Sequence, residues 1–299
     1  MIIPKNHNIL EFLQNQKIDV IAPCNGKGLC GKCKVLIHSK PKPNKIEMDL
    51  LSITDLEKGI RLACTRTTSY DTEITNLANQ KITQIVSDFN INYQMNPYLK
   101  LKKTHNYYEV YRNDILIAKK QQPRIFGASI DIGTTTVVIV LYDLGNLVPI
   151  EIKSFLNPQS KYGSDVISRI QFTSNINGLN SISEVLTSKI DSELNIMLVK
   201  NGISKEDLFD VIIAGNTTMN YLLLKIDPTS LAIAPYKADF LNTTTTKYYN
   251  IFNSNVKAEV TVLGGFDAFV GGDILSGIYS ENLHKKEKFN MLIGKIKNF

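Results

Sequence analysis

Four cysteines are the residues of this chain whose type and spacing suit redox or metal chemistry, and the sequence holds no others. Cys24, Cys30 and Cys33 lie within residues 24–33, and Cys64 follows much later in the chain. Three thiolates from one loop and a fourth from a distant segment can complete tetrahedral coordination around each of two irons. The spacing therefore predicts a [2Fe–2S] cluster bound by all four sulfurs.

The same stretch contains three glycines, Gly26, Gly28 and Gly31. A loop wrapped around a cluster needs backbone at positive φ and amides close to sulfide, and glycine permits both without a Cβ clash. The five residues between Cys24 and Cys30 exceed the plant-type gap by one. This longer gap resembles that of adrenodoxin-like ferredoxins.

Two other uses of these cysteines are weaker. A structural zinc site more usually pairs two Cys-x-x-Cys knuckles, and this chain has one, at Cys30 and Cys33. Disulfides are disfavoured because we expect no secretory leader and because the cysteines gather near one end of the chain. Zinc remains the main alternative to an iron–sulfur cluster.

The composition is that of a folded protein in a reducing cytoplasm. Hydrophobic residues make up 43% and charged residues 21% of the 299 positions, which is ordinary for globular chains. The net charge is +6, but the lysines are spread along the chain, so we expect solubility and no nucleic-acid partner. A docking face for an acidic redox partner is the alternative explanation. No apolar run is long enough to cross a bilayer, so we expect no membrane partner.

Residues 1–78 are predicted to form the domain that positions the cysteines. Asn8 and Glu11 have the spacing of a helix start, before apolar residues on one helical face. A second helix is expected over residues 46–57, ended by Gly59. Short strands are expected over the ranges 18–22, 33–38, 61–65 and 72–77, the third of them presenting Cys64. Such strands wrapped on a helix are typical of a β-grasp ferredoxin, although we expect the usual first strand to be missing.

Two further regions are predicted along the chain. Residues 79–124 are polar and irregular, which indicates a connector with a small hairpin around Asn113-Asp114. Residues 125–299 alternate buried strands with amphipathic helices, which indicates an α/β domain. The run from Thr243 to Thr246 is expected to be a surface turn or loose strand without a chemical role.

A second motif with chemical potential opens the α/β region. Apolar strand residues bracket the turn Asp131-Ile132-Gly133-Thr134-Thr135. Such a hairpin offers backbone amides and threonine hydroxyls to a phosphate, while the aspartate can hold a metal-bound water. An ordinary hairpin with a polar turn is the alternative.

Two later segments predict either ligand contacts or helix caps. A buried strand over residues 211–214 leads into a helix beginning near Asn216 and Thr217, and the amino end of that helix can face an anion. Ser164 and Asp165 are placed to cap the helix that follows them. We expect nucleotide contact at the first site and treat capping and contact as equal alternatives at the second.

These residues carry a family resemblance. The turn from Asp131 to Thr135 resembles the first phosphate loop of the actin and sugar-kinase superfamily (ASKHA). Joined to a [2Fe–2S] domain, it resembles the reductive activators of corrinoid proteins. Further segments match that family: Asn157-Pro158-Gln159, Tyr162 to Ile170, Ala214 to Met219, Ile226-Asp227-Pro228, Ala234-Pro235-Tyr236 and Val270 to Ile274.

The resemblance implies an α+β fold class: a β-grasp [2Fe–2S] ferredoxin domain, a small connector, and an α/β actin-like (ASKHA, RNase H-like) first lobe. It implies ATP-dependent reduction of a Co(II) corrinoid to Co(I). The electron acceptor would be a corrinoid protein or corrinoid methyltransferase, and the donor an unidentified reductase. Mg-ATP would be bound by six residues: Asp131, Gly133, Thr134, Thr135, Asn216 and Thr217.

The chain departs from the family at its second phosphate loop. A strand-like segment from Phe289 to Ile293 is followed by a lysine-rich stretch instead of an Asp-Ile-Gly-Thr turn. Donors on one side only would bind ATP weakly and hydrolyse it negligibly. We therefore expect a fragment or shortened relative of an activator. A simple [2Fe–2S] electron carrier with a docking scaffold, or a non-functional remnant, are the alternatives.

Overall fold

The structure, a computed structural model, describes residues 1–285 except for residues 17, 19, 23, 25, 78–97 and 164. The predicted cap at Ser164 and the predicted strand at 289–293 lie outside this range. The strands form three sheets, within residues 2–76, 99–120 and 126–262. Each sheet lies inside one of the three predicted regions, whose boundaries stay predictions. No helix in the described part is long and apolar enough to span a membrane.

The first sheet carries the cysteine loop. Its antiparallel strands run in the spatial order β1-β4-β2-β3. The strands are β1 (Ile2–Ile3), β2 (Lys34–Ile37), β3 (Ile60–Leu62) and β4 (Thr72–Asn76), and the helices are α1 (Ile9–Asn15), α2 (Lys45–Leu50) and α3 (Ile53–Lys58). Buried side chains of the sheet and of α1 form one hydrophobic core.

The start of α1 is confirmed, whereas the expected absence of a first strand is wrong. The Asn8 side chain accepts hydrogen bonds from the amides of Leu10 and Glu11. Strand β1 is present and pairs with β4, with Ile2 opposite Glu73. A two-residue strand is too short to show an alternating pattern, so its pairing with a distant strand is invisible in the sequence.

The helix predicted over 46–57 is broken in the middle. Leu51 is buried with extended backbone, and Ser52 caps a new helix by accepting a hydrogen bond from the Asp55 amide. Gly59 ends α3 with φ of 88°, as predicted. A local cap therefore overrides a continuous helical pattern.

One predicted strand of this domain is wrong, and another is shorter than predicted. The described residues within 18–22 form no strand, and the apolar side chains of Ile18, Val20 and Ala22 pack against the core instead. The segment predicted as a strand over 61–65 leaves the sheet after Leu62. Cys64 lies on a 3₁₀ turn, Ala63–Thr65, and not on a strand.

The second sheet has three antiparallel strands, β5 (Leu99–Lys103), β6 (Tyr108–Arg112) and β7 (Ile115–Lys120). The predicted hairpin is confirmed. Its two turn residues, Asn113 and Asp114, have φ of 48° and 64°, the left-handed values that a tight hairpin requires.

The third sheet has six strands in the order β10-β9-β8-β11-β13-β12. They are β8 (Phe126–Ile132), β9 (Thr136–Asp143), β10 (Val148–Leu156), β11 (Leu208–Gly215), β12 (Thr244–Lys247) and β13 (Glu259–Val262). Strand β11 is parallel to both β8 and β13. Parallel strands end at the same edge of a sheet, so the segments after these three strands lie close together.

The helices of this region are α4 (Val166–Phe172), α5 (Ile176–Lys200), α6 (Thr217–Leu223), α7 (Tyr248–Ile251) and α8 (Gly272–Ser280). Helices α5, α6 and α7 pack on one face of this sheet, whereas α8 lies over the other face, where its Leu275 and Tyr279 line a hollow with Ile212 of β11. A buried stripe on α5 packs against alternate strand residues such as Ile130 and Ile132. Because side chains alternate along a strand, Asp131 lies on the opposite face of the sheet.

Candidate functional site

The four cysteines form two pairs. The Sγ atoms of Cys24 and Cys30 lie 3.3 Å apart, and those of Cys33 and Cys64 also lie 3.3 Å apart. All four are free thiols. Two pairs of sulfurs correspond to two protein ligands for each of two irons.

The pairs are close to the spacing that a metal needs. Two thiolates on one tetrahedral metal, with bonds of about 2.3 Å, lie about 3.8 Å apart, so each pair must open by a few tenths of an ångström. Within the described residues, no group of three or more His, Cys, Asp or Glu is placed around a single metal ion. The donor set thus fits a [2Fe–2S] cluster.

The glycines of the loop have the predicted conformation. Gly26, Gly28 and Gly31 have φ of 81°, 70° and 64°, values that residues with a Cβ rarely adopt. A Cβ on Gly31 would lie 3.2 Å from the backbone oxygen of Leu50. The loop therefore lies directly against α2.

In each pair, the protein favours negative charge on one sulfur. The Cys33 thiol donates to the Cys64 sulfur and, with the Gly28 amide, lowers the pKa of Cys64 to about 7 despite burial. Burial raises the pKa of Cys24, but hydrogen bonds, the Leu29 amide first, lower it further than burial raises it. Thiolates are the metal-binding form of cysteine, so these two sulfurs are prepared for ligation.

The sequence did not point to Glu47, which holds the segment around Cys64. Its carboxylate is fully buried and accepts hydrogen bonds from the Leu62 amide (3.1 Å) and the Thr65 hydroxyl (3.2 Å). Arg66 completes the set with its Nε at 2.8 Å and a second guanidinium contact. Since Leu62, Thr65 and Arg66 flank the cysteine, Glu47 fixes the turn that presents the fourth sulfur.

The surroundings of Glu47 keep its carboxylate ionised. Burial raises its pKa, but Arg66 and the amides of Asn44 and Leu62 lower it more, so the pKa lies below its usual range. Glu47 also forms a capping box with Asn44 at the start of α2. The Asn-x-x-Glu spacing was the available sequence signal, but it predicts a helix start and not the contacts to a distant turn.

The second candidate site lies where β8 turns into β9. The Gly133 amide donates to the Thr136 carbonyl (2.9 Å), which closes the predicted hairpin. The next carbonyls all bind protein groups: Gly133 O accepts from Asn157 Nδ2 (2.8 Å), Thr134 O from Arg169 (2.5 Å) and Thr135 O from the Asn157 amide (2.9 Å). Because three successive carbonyls are held by the protein, the amide side of the loop is left for an anion.

Arg169 is the cation behind this loop. Its side chain is fully buried, and it also donates to the Gly163 carbonyl at 3.0 Å. Burial lowers the pKa of Arg169 to about 10, while Asp165 opposes this effect. The guanidinium therefore stays positive at neutral pH and adds a favourable field for an anion bound at the loop.

Asn216 and Thr217 are brought to the same sheet edge. The Asn216 side chain caps α6 by accepting from the Met219 amide and donates to the Thr134 hydroxyl at 3.2 Å. Thr217 donates its hydroxyl to the Asp267 carbonyl at 2.7 Å. Asn216 thus joins the two predicted segments directly, whereas the Thr217 hydroxyl is already engaged.

One acidic residue was quoted in a motif but not predicted as part of this site. Asp273 lies in the first turn of α8. The protein around Asp131 and then the Asp273 carboxylate raise the pKa of Asp131. Two carboxylates at a phosphate site are suitable for holding a hydrated divalent cation. Asp165 caps α4 by accepting a hydrogen bond from the Ser168 amide, which is one of the two alternatives expected for it.

A glycine makes this convergence possible. A Cβ on Gly271 would lie 2.5 Å from the Cα of Asn216 and 2.6 Å from the amide nitrogen of Thr217. The start of α8 therefore packs backbone to backbone on the start of α6. This close approach keeps Asp273 beside the phosphate loop.

Two family models match this chain. Residues 2–67 match the family model described as a 2Fe-2S iron-sulfur cluster binding domain. Residues 126–286, more than half of the chain, match the model described as the RACo middle region. The first match covers the four cysteines and strands β1 to β3, and the second covers all six strands of the third sheet.

Individual proteins give the same picture. The corrinoid activation enzyme RamQ of Eubacterium limosum is 28% identical over 183 residues, which cover 60% of this chain and 31% of RamQ. The solved structure of a reductive activator for corrinoid,iron-sulfur protein aligns with a TM-score of 0.59 and 23% identity, over 96% of this chain and 56% of its own. The chain thus spans about a third and about half of these two proteins. The predicted fold class is confirmed as a 2Fe-2S domain followed by an α/β domain with the fold of this activator.

Proposed function

Because this chain belongs to the family of the RACo middle region, here preceded by a 2Fe-2S domain, we propose that it takes part in the reductive activation of a corrinoid protein. The observation that supports this most is the presence in one chain of two cysteine pairs and a phosphate loop whose carbonyls are all bound. The two relatives carry corrinoid activation in their names.

Four residues would hold the cluster: Cys24, Cys30, Cys33 and Cys64. When bound, a [2Fe–2S] cluster supplies a one-electron couple at low potential. The chain contributes the amides that stabilise the thiolates and the Glu47 network that fixes the Cys64 turn. The corrinoid acceptor gains one electron as Co(II) becomes Co(I), and a separate reductase supplies that electron. A reducing cytoplasm suits this function because it keeps free thiols reduced.

Mg-ATP would be bound at the edge formed by β8, β11 and α8. Amides of Thr134 and Thr135 would face phosphate oxygens, with Gly133 allowing the turn, and Asn216 and Thr217 would close one side. Asp131 would hold the hydrated magnesium ion. These donors come from one side of the nucleotide, so we propose weak binding and negligible hydrolysis by this chain alone.

Anaerobic reconstitution with iron and sulfide tests the first half of the proposal. We expect a red-brown protein whose visible absorption is lost on reduction, and which reduces a Co(II) corrinoid protein stoichiometrically when supplied with electrons. A colourless protein with stoichiometric zinc would refute the cluster. A reducible cluster that leaves the corrinoid protein in the Co(II) state would refute its role in activation.

Nucleotide titration tests the second half. We expect Mg-dependent ATP binding by calorimetry that is abolished by Asp131→Asn, with Asp239→Asn, at an exposed position of the same region, as the control for charge. Equal affinity in wild type and Asp131→Asn would remove the nucleotide site from the proposal. The chain would then act as an electron carrier with a docking scaffold.

A further inference from the structure

A hollow beside the cysteine loop opens onto one of the four cysteines, Cys64. Its volume is about 430 Å³, and it lies between the loop and the start of α2. Its walls include Lys27, Lys45, Ile46 and Cys64. By contrast, Cys33 is 1% exposed. Cys24, Cys30 and Cys64 are all half-buried, and the hollow marks the side on which Cys64 is open to a partner.

Apolar side chains continue this surface outward. Leu29 is 72% exposed, Ile46 42% and Leu50 38%. A Cβ on Gly28 would lie 3.4 Å from Ile46, and one on Gly31 would lie 3.2 Å from Leu50, so these two side chains of α2 rest on the loop that carries Leu29. We name the surface formed by Lys27, Leu29, Lys45, Ile46 and Leu50 the cluster face.

Positive charge predominates around the cluster face. Residues 20–46 contain six lysines and no aspartate or glutamate. Neither Lys27 nor Lys45 forms an ion pair among the described residues, whereas the following acid, Glu47, is buried and bound to Arg66. Asp49, the exposed acid on α2, does not line the hollow. The lysines are not consecutive in the sequence, but the fold brings two of them, Lys27 and Lys45, to the hollow beside Cys64.

We propose that the cluster face docks a redox partner protein whose contact surface is rimmed by carboxylates. The inference rests on the proposed electron-transfer function and names the chemistry of its partner. Protein interfaces combine an apolar centre with a charged rim, and complementary charge steers encounter and orientation. Leu29, Ile46 and Leu50 supply the centre, and Lys27 and Lys45 supply the rim.

Cross-linking tests the surface without relying on activity. The reconstituted full chain is mixed with a cytochrome of acidic surface and treated with a carbodiimide, which joins a carboxylate to an amine with loss of water. We expect mass spectrometry to find the cytochrome attached at Lys27 and Lys45 at low salt, and not at Lys102 and Lys103 of β5. Attachment spread evenly over all four lysines would overturn the proposal.

Rates of electron transfer to cytochromes give an independent test of the cluster face. The dithionite-reduced chain passes one electron to the haem, which changes from ferric to ferrous with no other bond change. Lys27→Glu/Lys45→Glu is expected to slow reduction of the acidic cytochrome about tenfold at low salt and to speed that of a basic cytochrome, because steering depends on charge. The control Lys102→Glu/Lys103→Glu makes the same change in net charge and is expected to leave both rates within twofold.

The apolar centre has its own variant. Leu29→Gln is expected to slow the reduction of both cytochromes by the reduced chain. The rate at which the small hexacyanoferrate(III) ion oxidises the reduced chain is expected to stay unchanged, since a small ion needs no apolar contact. Unchanged rates in both the charge and the apolar variants, with a normal cluster spectrum, would overturn the cluster face while leaving the cluster intact. If no reducible cluster forms, the proposed function fails instead.

Discussion

Glu47 illustrates at the residue scale how a side chain that is not itself a predicted ligand can define a ligand site. Its carboxylate accepts hydrogen bonds from groups on both sides of Cys64 and from the backbone amide of Asn44, the cap of its own helix. A buried carboxylate is stable only when its oxygens are paired. The sequence identified the four sulfurs through their spacing, but it could not identify Glu47, because the partners of that residue are distant in the chain.

Glu47→Gln is expected to lower the free energy of unfolding by about 2 kcal/mol, because hydrogen bonds to a buried charge are lost and Arg66 is left unpaired. Chemical denaturation at pH 7 measures this loss. Glu57→Gln, on the exposed side of α3, is the control and is expected to change little. An equal effect of the two variants would contradict the role of Glu47.

Low pH should remove the stabilisation that the ionised Glu47 carboxylate provides. The pKa of Glu47 is lowered in the folded protein, so its stabilisation is fully present above the ordinary carboxyl value of about 4.3 and is lost as pH falls through the lower folded pKa. The difference in unfolding free energy between wild type and Glu47→Gln, measured on the metal-free chain, is expected to shrink below about pH 4. A difference that grows with acidity would show that the shift has the opposite sign.

Cys64→Ser tests the ligand that comes from the distant turn. Serine oxygen is a poor substitute for a thiolate at iron, so we expect reconstitution to give less than half the wild-type iron and a changed visible spectrum. Iron content per chain and the absorption spectrum check this. Ser52→Ala, which removes only a helix cap, is expected to keep full iron. Full iron in Cys64→Ser would exclude this cysteine from the site.

At the scale of elements, the conformation of the phosphate loop depends on the two elements packed against it. Asn157 and Arg169, from a 3₁₀ turn and from α4, hold the carbonyls that would otherwise point into the anion site. The sequence predicted the hairpin, the cap at Asn8 and the helix after Asn216, because each has a local pattern. It missed β1 and the break after Leu50, because a two-residue pairing and a competing cap leave no periodic signal.

Gly271→Ala tests the close packing of α8 on α6. A methyl group 2.5 Å from a backbone atom cannot be accommodated without moving a helix, so we expect a stability loss of about 3 kcal/mol together with loss of ATP binding. Gly202→Ala is the control: it has φ of 61° but no atom within 4 Å, so only strain of about 1 kcal/mol is expected. Thermal unfolding of both variants, with ATP titration, separates the two causes.

At the scale of the whole molecule, Arg112 ties the second sheet to the third. Its guanidinium on β6 binds Asp210 of β11, Glu259 of β13 at 2.5 Å and the Phe209 carbonyl at 3.1 Å. The Arg112 side chain is 16% exposed. The composition indicated a folded chain with several regions, but a contact between regions depends on tertiary structure and has no sequence pattern.

Arg112→Met is expected to destabilise the chain by about 2 kcal/mol, because two largely buried carboxylates lose a shared cation. Lys100→Met is the matched control, since Lys100 pairs with Asp114 across an exposed surface and such pairs contribute about 0–1 kcal/mol. Urea unfolding monitored by circular dichroism measures both. A larger loss of stability from Lys100→Met than from Arg112→Met would contradict the role of Arg112 in joining the two sheets.

The spacing of the last two cysteines has a consequence for the lifetime of the protein. Cys33 and Cys64 are 31 positions apart, so a metal centre that binds both closes β2, α2, α3 and β3 into a ring. A closed ring restricts the unfolded chain much as a disulfide does. Loss of the metal would open the ring and return that conformational freedom to the unfolded chain, so the iron-free polypeptide is expected to be digested by proteases more readily than the loaded one.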